Sequence, residues 1–366
     1  MHMSQSNDGW NVAPAAPPLR LKLLFWFIIS GLSVFFAEVV SGSYPFPFFN
    51  PFKPWDIWGW LVLMPLYGLH TLILASVIFA WGKPRFEAVF LAGAIFGLYE
   101  AYITKVLWDP TWGTPIVSVG GVAIVELVVI TLWWHPFMSF AIPLAAAETT
   151  LTSSREVLDG LPGRIKGLFA RRGTAIFILF AAWAGAVHGG SSPLSAFLSS
   201  QIAVIFIAGL IYLWRRNASN MSYSMRALLP DRRQAAMLMV PLALLYLIFG
   251  AFVLRQRIPG ILSQAPIWAL YGLFIGLLIV AIKRSAVRRR EDPILGPSIG
   301  WKWVMAFAAI FTVMSVLLNG FSIIVMLISW APGAVIGLFF LFWSARETLA
   351  GDDNLNGPEG AGNSQS

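Results

Sequence analysis

The chain has 366 residues, 58% hydrophobic and only 11% charged, with a net charge of +8. A water-soluble domain carries about 25% charged residues, and a disordered chain is poorer still in apolar residues, so both classes are excluded for the bulk of the molecule. Continuous rather than alternating apolar segments also exclude a transmembrane β-barrel. The expectation is an all-α polytopic bundle integral to the cell membrane. The chain has no cysteine, which removes disulfides, thiolate metal sites and cysteine nucleophiles.

Ten apolar spans are predicted in chain order: Leu21–Val40, Ile57–Ala80, Phe86–Thr104, Pro115–Trp134, Thr174–Gly189, Pro193–Trp214, Ala235–Leu254, Ile267–Ile282, Trp303–Leu318 and Phe321–Trp343. Most approach the roughly 20 residues that cross a bilayer. A further stretch, Pro136–Ala147, is too short for a straight crossing and is expected to be re-entrant or interfacial, within 136–150. The polar ends, 1–19 and 344–366, are expected to be disordered tails. The transmembrane domain between them, 20–343, divides into a first half at 20–150, a basic stretch at 151–173 and a second half at 174–343.

The basic residues predict the orientation. With both termini in the cytoplasm, 21 of the 25 Lys and Arg residues fall on the cytoplasmic side. A full crossing at Pro136–Ala147, added to the ten, would destroy that bias. The net positive charge is thus read as cytoplasmic basic loops that face the bilayer and its anionic lipids, not as a nucleic-acid surface. Ser153-Ser154-Arg155-Glu156 has the spacing of a capping box. The apolar face that follows, flanked by Arg164, Lys166, Arg171 and Arg172, predicts a helix lying on the inner membrane surface. The sequence leaves the oligomeric state open.

Ionisable residues are unevenly placed. Spans five to ten hold no Asp, Glu, Lys or Arg well inside the membrane. The first half holds Glu38, His70, Glu87, Glu100 and Glu126, and His135 and Glu148 bracket the short segment. Charged groups in hydrocarbon cost about 2.5–3.5 kcal/mol or more and mark candidate sites. Glu126 is predicted near the middle of the fourth span, either as a proton or cation site or as a neutral acid hydrogen-bonded between helices. Depths of ~18 Å for His70 and ~15 Å for Glu126 would let the two meet near the midplane. Packing of His70 against a backbone carbonyl is the alternative. Gly93, Gly97 and Ala101 form a small-residue ridge on the third span, which turns Glu100 into the bundle. Glu38 reaches a similar level. With Lys105, Asp109, Lys53 and Asp56 they predict an outward-facing polar vestibule, or else a set of interfacial ion pairs. The Pro- and aromatic-rich outer loops, 41–55 and 105–113, are read either as a rigid cap over a cavity between the first four spans or as an aromatic belt.

Ala37-Glu38-Val39-Val40-Ser41-Gly42-Ser43, then Phe49-Asn50-Pro51, Gly97-Leu98-Tyr99-Glu100, Lys105 and Asp109-Pro110-x-Trp112 resemble signatures of a group of uncharacterised polytopic membrane proteins of bacteria and archaea. The resemblance spans roughly residues 30–115. It implies a shared site around Glu38, Glu100 and Asp109. In that group a pair of glutamates often stands where this chain has Tyr99-Glu100. The CAAX-protease-like membrane peptidases match poorly, because the Glu-Glu-x-x-x-Arg motif and the later intramembrane histidines are missing. Metal catalysis through His70 and His135 is disfavoured, since Glu126 and His135 would face apart at 100° per residue. Neither a metal nor a cofactor is therefore expected.

The leading functional expectation is binding or translocation of a small solute, lipid or proton through the first four spans. Glu126 and His70 would form the relay, and Glu38, Glu100 and Lys105 the outer gate. The alternatives are a membrane-embedded enzyme acting on a lipid or isoprenoid, with an acid as general acid/base, and a non-catalytic scaffold or accessory subunit.

Overall fold

In hydrocarbon every backbone N–H and C=O needs a partner within the protein, so apolar runs of this length fold as helices. The computed structural model describes residues 16–80, 84–110, 113–218, 223–287 and 299–350. Residues 1–15 and 351–366, Lys83, Trp112 and the basic stretch 288–298 lie outside the described residues.

The long helices are α1 (Leu19–Val39), α2 (Gly59–Ala80), α3 (Phe86–Ile103), α4 (Ile124–Leu151), α5 (Gly163–Val187), α6 (Pro193–Asn217), α7 (Arg232–Phe252), α8 (Ile261–Val287), α9 (Trp301–Leu317) and α10 (Ser322–Leu349). Among the described residues nine are long and apolar enough to cross a membrane, and α9 is shorter at 17 residues. The protein is an integral, multi-pass helical bundle.

The helix ends gather in two groups. At the first, Trp26 Nε1 donates to Leu228 O at 2.8 Å, Trp214 Nε1 to Leu151 O at 2.8 Å and the Ile299 amide to Thr149 O at 2.7 Å. At the second, His188 donates to Val39 O, Tyr102 OH to Gln264 Oε1 at 2.5 Å and the Gly190 amide to Asn319 Oδ1 at 2.9 Å. Gly42 turns the chain after α1 at φ +71, and a β-carbon there would lie 3.3 Å from the Gly189 amide nitrogen. Both the left-handed backbone and the close approach favour glycine.

The fourth crossing corrects the expectation. Pro115–Ala123 is not helical. It holds a small hairpin of β1 (Ser118–Val119) and β2 (Val122–Ala123), turned by Gly120 and Gly121 at φ +60 and +78. Consecutive positive-φ glycines make a tight hairpin turn and prevent a helix from starting before Ile124. From there α4 runs unbroken to Leu151, so 136–150 is neither re-entrant nor interfacial but the second half of one crossing. Pro136 removes a backbone donor from the helix interior. The helix continues past it by widening into a π-helix over Val129–Ala141. A single crossing replaces the predicted span and the predicted short segment together, so the alternation of the bundle is unchanged.

Smaller differences follow the same logic. The predicted capping box does not form: the short helix Glu156–Asp159 has Arg155 at its N-cap with no side-chain cap. The buried Glu148 carboxylate does that work from the end of α4, accepting the amides of Val157 at 3.0 Å and Leu158 at 3.2 Å. The expected surface helix and fifth span are one helix, broken at Arg172 (φ −132, ψ 20). α10 continues to Leu349, past the predicted end at Trp343.

The core lies among α1–α4, where Phe25, Ile28, Ile29, Phe79, Phe96 and Phe140 are fully buried. By contrast α7 buries no residue in its α-helical part. Gly93 and Gly97 pack directly on the π-helical stretch of α4. A β-carbon at Gly93 would lie 2.5 Å from Pro136 Cα, and one at Gly97 would lie 2.9 Å from Thr131 Cα. The small-residue ridge is thus the α3–α4 interface, as its spacing predicts.

Candidate functional site

α1 ends in a π turn, Phe35–Val39, which places Glu38 toward α2. Such bulges free carbonyls from the regular ladder. Here Ala37 O accepts from Trp134 Nε1 at 3.2 Å and Val39 O accepts from buried His188. His188 is satisfied on its other face by Ser199 Oγ at 2.7 Å, a structural arrangement. Tyr67 of α2 donates its hydroxyl to Glu38 Oε1.

α3 and α4 supply a second pair. His135 Nε2 lies 3.1 Å from Glu100 Oε2, and its Nδ1 lies 2.6 Å from Ser139 Oγ. Glu100 Oε2 and Ser139 Oγ thus hold the two ring nitrogens of His135, one each. The Ser139 carbonyl in turn accepts from Ser33 Oγ at 2.6 Å, and Thr71 Oγ1 donates to Ser33 Oγ at 3.2 Å. Hydrogen bonds therefore tie α1, α2, α3 and α4 together around His135. The His135 ring is 3% exposed and packs beside Phe96 and Tyr67.

Glu38, Tyr67, Glu100 and His135 line one cavity of about 470 Å³. Ser41, Gly42, Ser43 and Thr104 line it toward the second group of helix ends, and Trp134 and Trp330 form an aromatic wall. That volume is within the ~300–1,000 Å³ of small-ligand sites. No group of three or more metal-ligating side chains is found among the described residues.

The other predicted residues lie elsewhere. Lys105 is 1% exposed and does not join Glu100. Its Nζ donates to the carbonyls of Phe249 and Val253 at the end of α7, the second at 2.5 Å. Burial holds the Lys105 ammonium below the usual lysine range. Its backbone is left-handed at φ +63, a conformation costly for a non-glycine residue. Asp109 pairs with Arg257 at 2.9 Å. Asp56 accepts from Tyr44 OH at 2.6 Å, and burial with that bond raises the Tyr44 phenol above its ordinary range. Lys53 is exposed. Of the expected vestibule, only the Glu38 and Glu100 pair lines the cavity. Of the loop 41–55, Ser41–Ser43 line the cavity, while Phe48 packs away on Phe206 of α6, with ring centres 4.1 Å apart.

His70 and Glu126 do not form the expected relay. His70 Nδ1 bonds to Leu66 O at 2.7 Å, and its ring stacks on Phe96. Glu126 is fully buried in the first turn of α4, not at mid-span, and neither carboxylate oxygen has a partner among the described residues. The ionisable residue well inside α4 is His135.

The sequence pattern does not single out Tyr67, Trp134 or Ser139, and it offers His135 no role beyond the disfavoured metal site. Polar residues on neighbouring apolar helices are the available signal, with Ser33, Tyr67, Thr71 and Ser139 all inside the predicted first half.

A family model described as an uncharacterised membrane protein family matches residues 27–350. An uncharacterised protein of Archaeoglobus fulgidus is 34% identical over 264 residues, which is 72% of this chain and 79% of that protein. No solved structure matches. Every residue named at the cavity falls inside the matched region, and the chain belongs to this family of uncharacterised membrane proteins.

Proposed function

We propose that the protein binds and passes a proton or small cation through the cavity between α1, α2, α3 and α4. The supporting observation is the convergence of Glu38, Tyr67, Glu100 and His135 on one cavity. Carboxylates are the natural ligands of a proton or a hard cation. Glu100 exchanges a proton with His135. The Tyr67 hydroxyl holds Glu38, the second acid, at the same cavity. On this reading both termini are cytoplasmic and the cavity mouth at Ser41–Ser43 faces outward, as the Lys and Arg distribution predicts.

The test is the full chain reconstituted in liposomes with an internal pH dye, under a clamped membrane potential. Wild type should dissipate a pH gradient, and Glu100→Gln should abolish that flux while the protein still folds. Flux equal to wild type in both Glu100→Gln and Glu38→Gln would overturn the proposal. Cysteines at Ser43 and Arg233 test orientation. Only the first should react with an impermeant thiol reagent added outside cells.

The His135–Glu100 pair also favours a second reading, general acid/base chemistry on a lipid headgroup. Turnover of membrane lipid in the same liposomes, lost in His135→Gln, would support it over transport.

A further inference from the structure

A second cavity of about 470 Å³ lies toward the first group of helix ends. Its walls are almost wholly apolar, with Phe35 and Phe36 of α1, Ala145 and Ala146 of α4, Ala208 of α6 and Phe307 of α9 among them. The same stretch of α1 serves both cavities, with Phe35 and Phe36 on this one and Ala37 and Glu38 on the polar one.

Cations flank this cavity. Thr150 and Ile299 line it, and Arg215 donates to both of their carbonyls. The Arg215 guanidinium also lies 5.0 Å from the Trp301 ring centre. Lys302 is exposed with its Nζ 5.9 Å from the ring of Trp303, another wall residue. Arg171 and Arg172, both exposed, stand in the chain between the wall residues Phe169 and Gly173. The neighbouring acids are already engaged. Glu148 accepts backbone amides, Glu156 pairs with Arg226 at 3.4 Å and Asp159 pairs with Lys166 at 3.4 Å.

We propose that this cavity holds a hydrocarbon chain of an acidic phospholipid, with its phosphate at the flanking cations Arg215, Lys302, Arg171 and Arg172. An apolar body flanked by cations is complementary to such a molecule and not to an inorganic anion. A lipid chain leaves surroundings as apolar as the cavity wall, so the chain alone gives little preference. Selectivity therefore rests on the flanking charge, and site occupancy rests on the room left by the alanines. The proposal is independent of the proton or cation reading of the polar cavity.

The test is native mass spectrometry of the full purified chain titrated with equal amounts of phosphatidylglycerol and phosphatidylcholine. Wild type should bind the acidic lipid at least tenfold more tightly. Combined replacement of the exposed cations, Arg171→Gln with Arg172→Gln and Lys302→Gln, should bring that ratio near one. Ala146→Phe and Ala208→Phe, tested separately, should each cut bound phosphatidylglycerol at least tenfold with the charges intact. Equal binding of the two lipids by wild type would overturn the proposal, as would wild-type retention of phosphatidylglycerol by both filled variants. Should a filled variant not fold, the surface-charge variant decides alone: an unchanged tenfold preference would overturn the role of the flanking cations. Lipid binding should be unaffected by Glu100→Gln, which separates this test from that of the polar cavity.

Discussion

His135 Nε2 sits 3.1 Å from Glu100 Oε2, and the pair joins α3 to α4 well inside the bundle. Both ring nitrogens of His135 are engaged, so loss of either partner leaves a buried polar group unsatisfied. The two residues should therefore be energetically coupled. A double-mutant cycle of Glu100→Gln and His135→Gln, read as melting temperature in detergent, should give an interaction energy of about 0.5–3 kcal/mol. Additive effects would show that the contact carries no coupling.

The architecture is legible in the sequence because apolar length alone sets the number of crossings. Gly93 and Gly97 are legible too, since small residues four apart announce close helix packing. The start of the fourth crossing is not. Ile116, Val117, Val119 and Val122 extend its apolar run by composition, but Gly120 and Gly121 hold a hairpin there at positive φ. Ile116 and Val117 stay exposed ahead of that hairpin, and the turn geometry keeps the whole stretch out of the helix.

The site is half legible, and the π-helix explains the other half. Arguments from 100° per residue assume 3.6 residues per turn. Over Val129–Ala141 the winding is wider, so that count cannot find the face carrying His135 and Ser139. Glu38 and Glu100 stand out because an acid in an apolar helix is conspicuous on its own. Lys105 stands out as well, but its partners do not. The carbonyls it binds, at Phe249 and Val253, are remote in sequence and carry no side-chain signal.

The α3–α4 contact gives a second prediction. A side chain at Gly97 would collide with backbone at Thr131, which cannot move aside as a flexible side chain can. Gly97→Leu should cost at least the roughly 1–3 kcal/mol typical of overpacking, and it should displace His135 from Glu100. A β-carbon at Gly209 of α6 meets nothing within 4 Å, so Gly209→Leu is the matched control. Purified yield and melting temperature should fall for the first and stay near wild type for the second. Equal behaviour of the two would mean that the ridge is not a packing face.

Lys105 gives a third. Its ammonium binds the last carbonyls of α7, and cations are favoured at helix C-termini. Lys105→Met keeps the aliphatic bulk and removes those bonds. It should lower stability by about 1–3 kcal/mol and increase hydrogen exchange at 248–257, with the Glu38–Glu100 cavity unchanged. Arg257→Gln, which breaks the partly exposed pair with Asp109, should cost less than about 1 kcal/mol. Abolished flux in Lys105→Met at wild-type stability would return Lys105 to the functional site.

The last prediction concerns Glu126. Its carboxylate is fully buried, lines neither cavity and has no hydrogen-bond partner among the described residues. It occupies the first turn of α4, where the N-terminal end of the helix dipole favours an acid. On the proposed reading, that position makes it part of the helix start and not of the path through Glu100 and His135. Glu126→Gln keeps the volume and the polar atoms, so it should fold and support flux like wild type. Glu126→Leu replaces an unpaired buried polar group with an apolar one. It should be neutral or stabilising, by up to the roughly 1–3 kcal/mol that an unsatisfied group costs. Melting temperature and liposome proton flux, measured side by side for wild type, Gln and Leu, check both statements. If Glu126→Gln folds normally but carries no flux, Glu126 belongs to the path, and the cavity bounded by Glu38 and Glu100 is only its outer part.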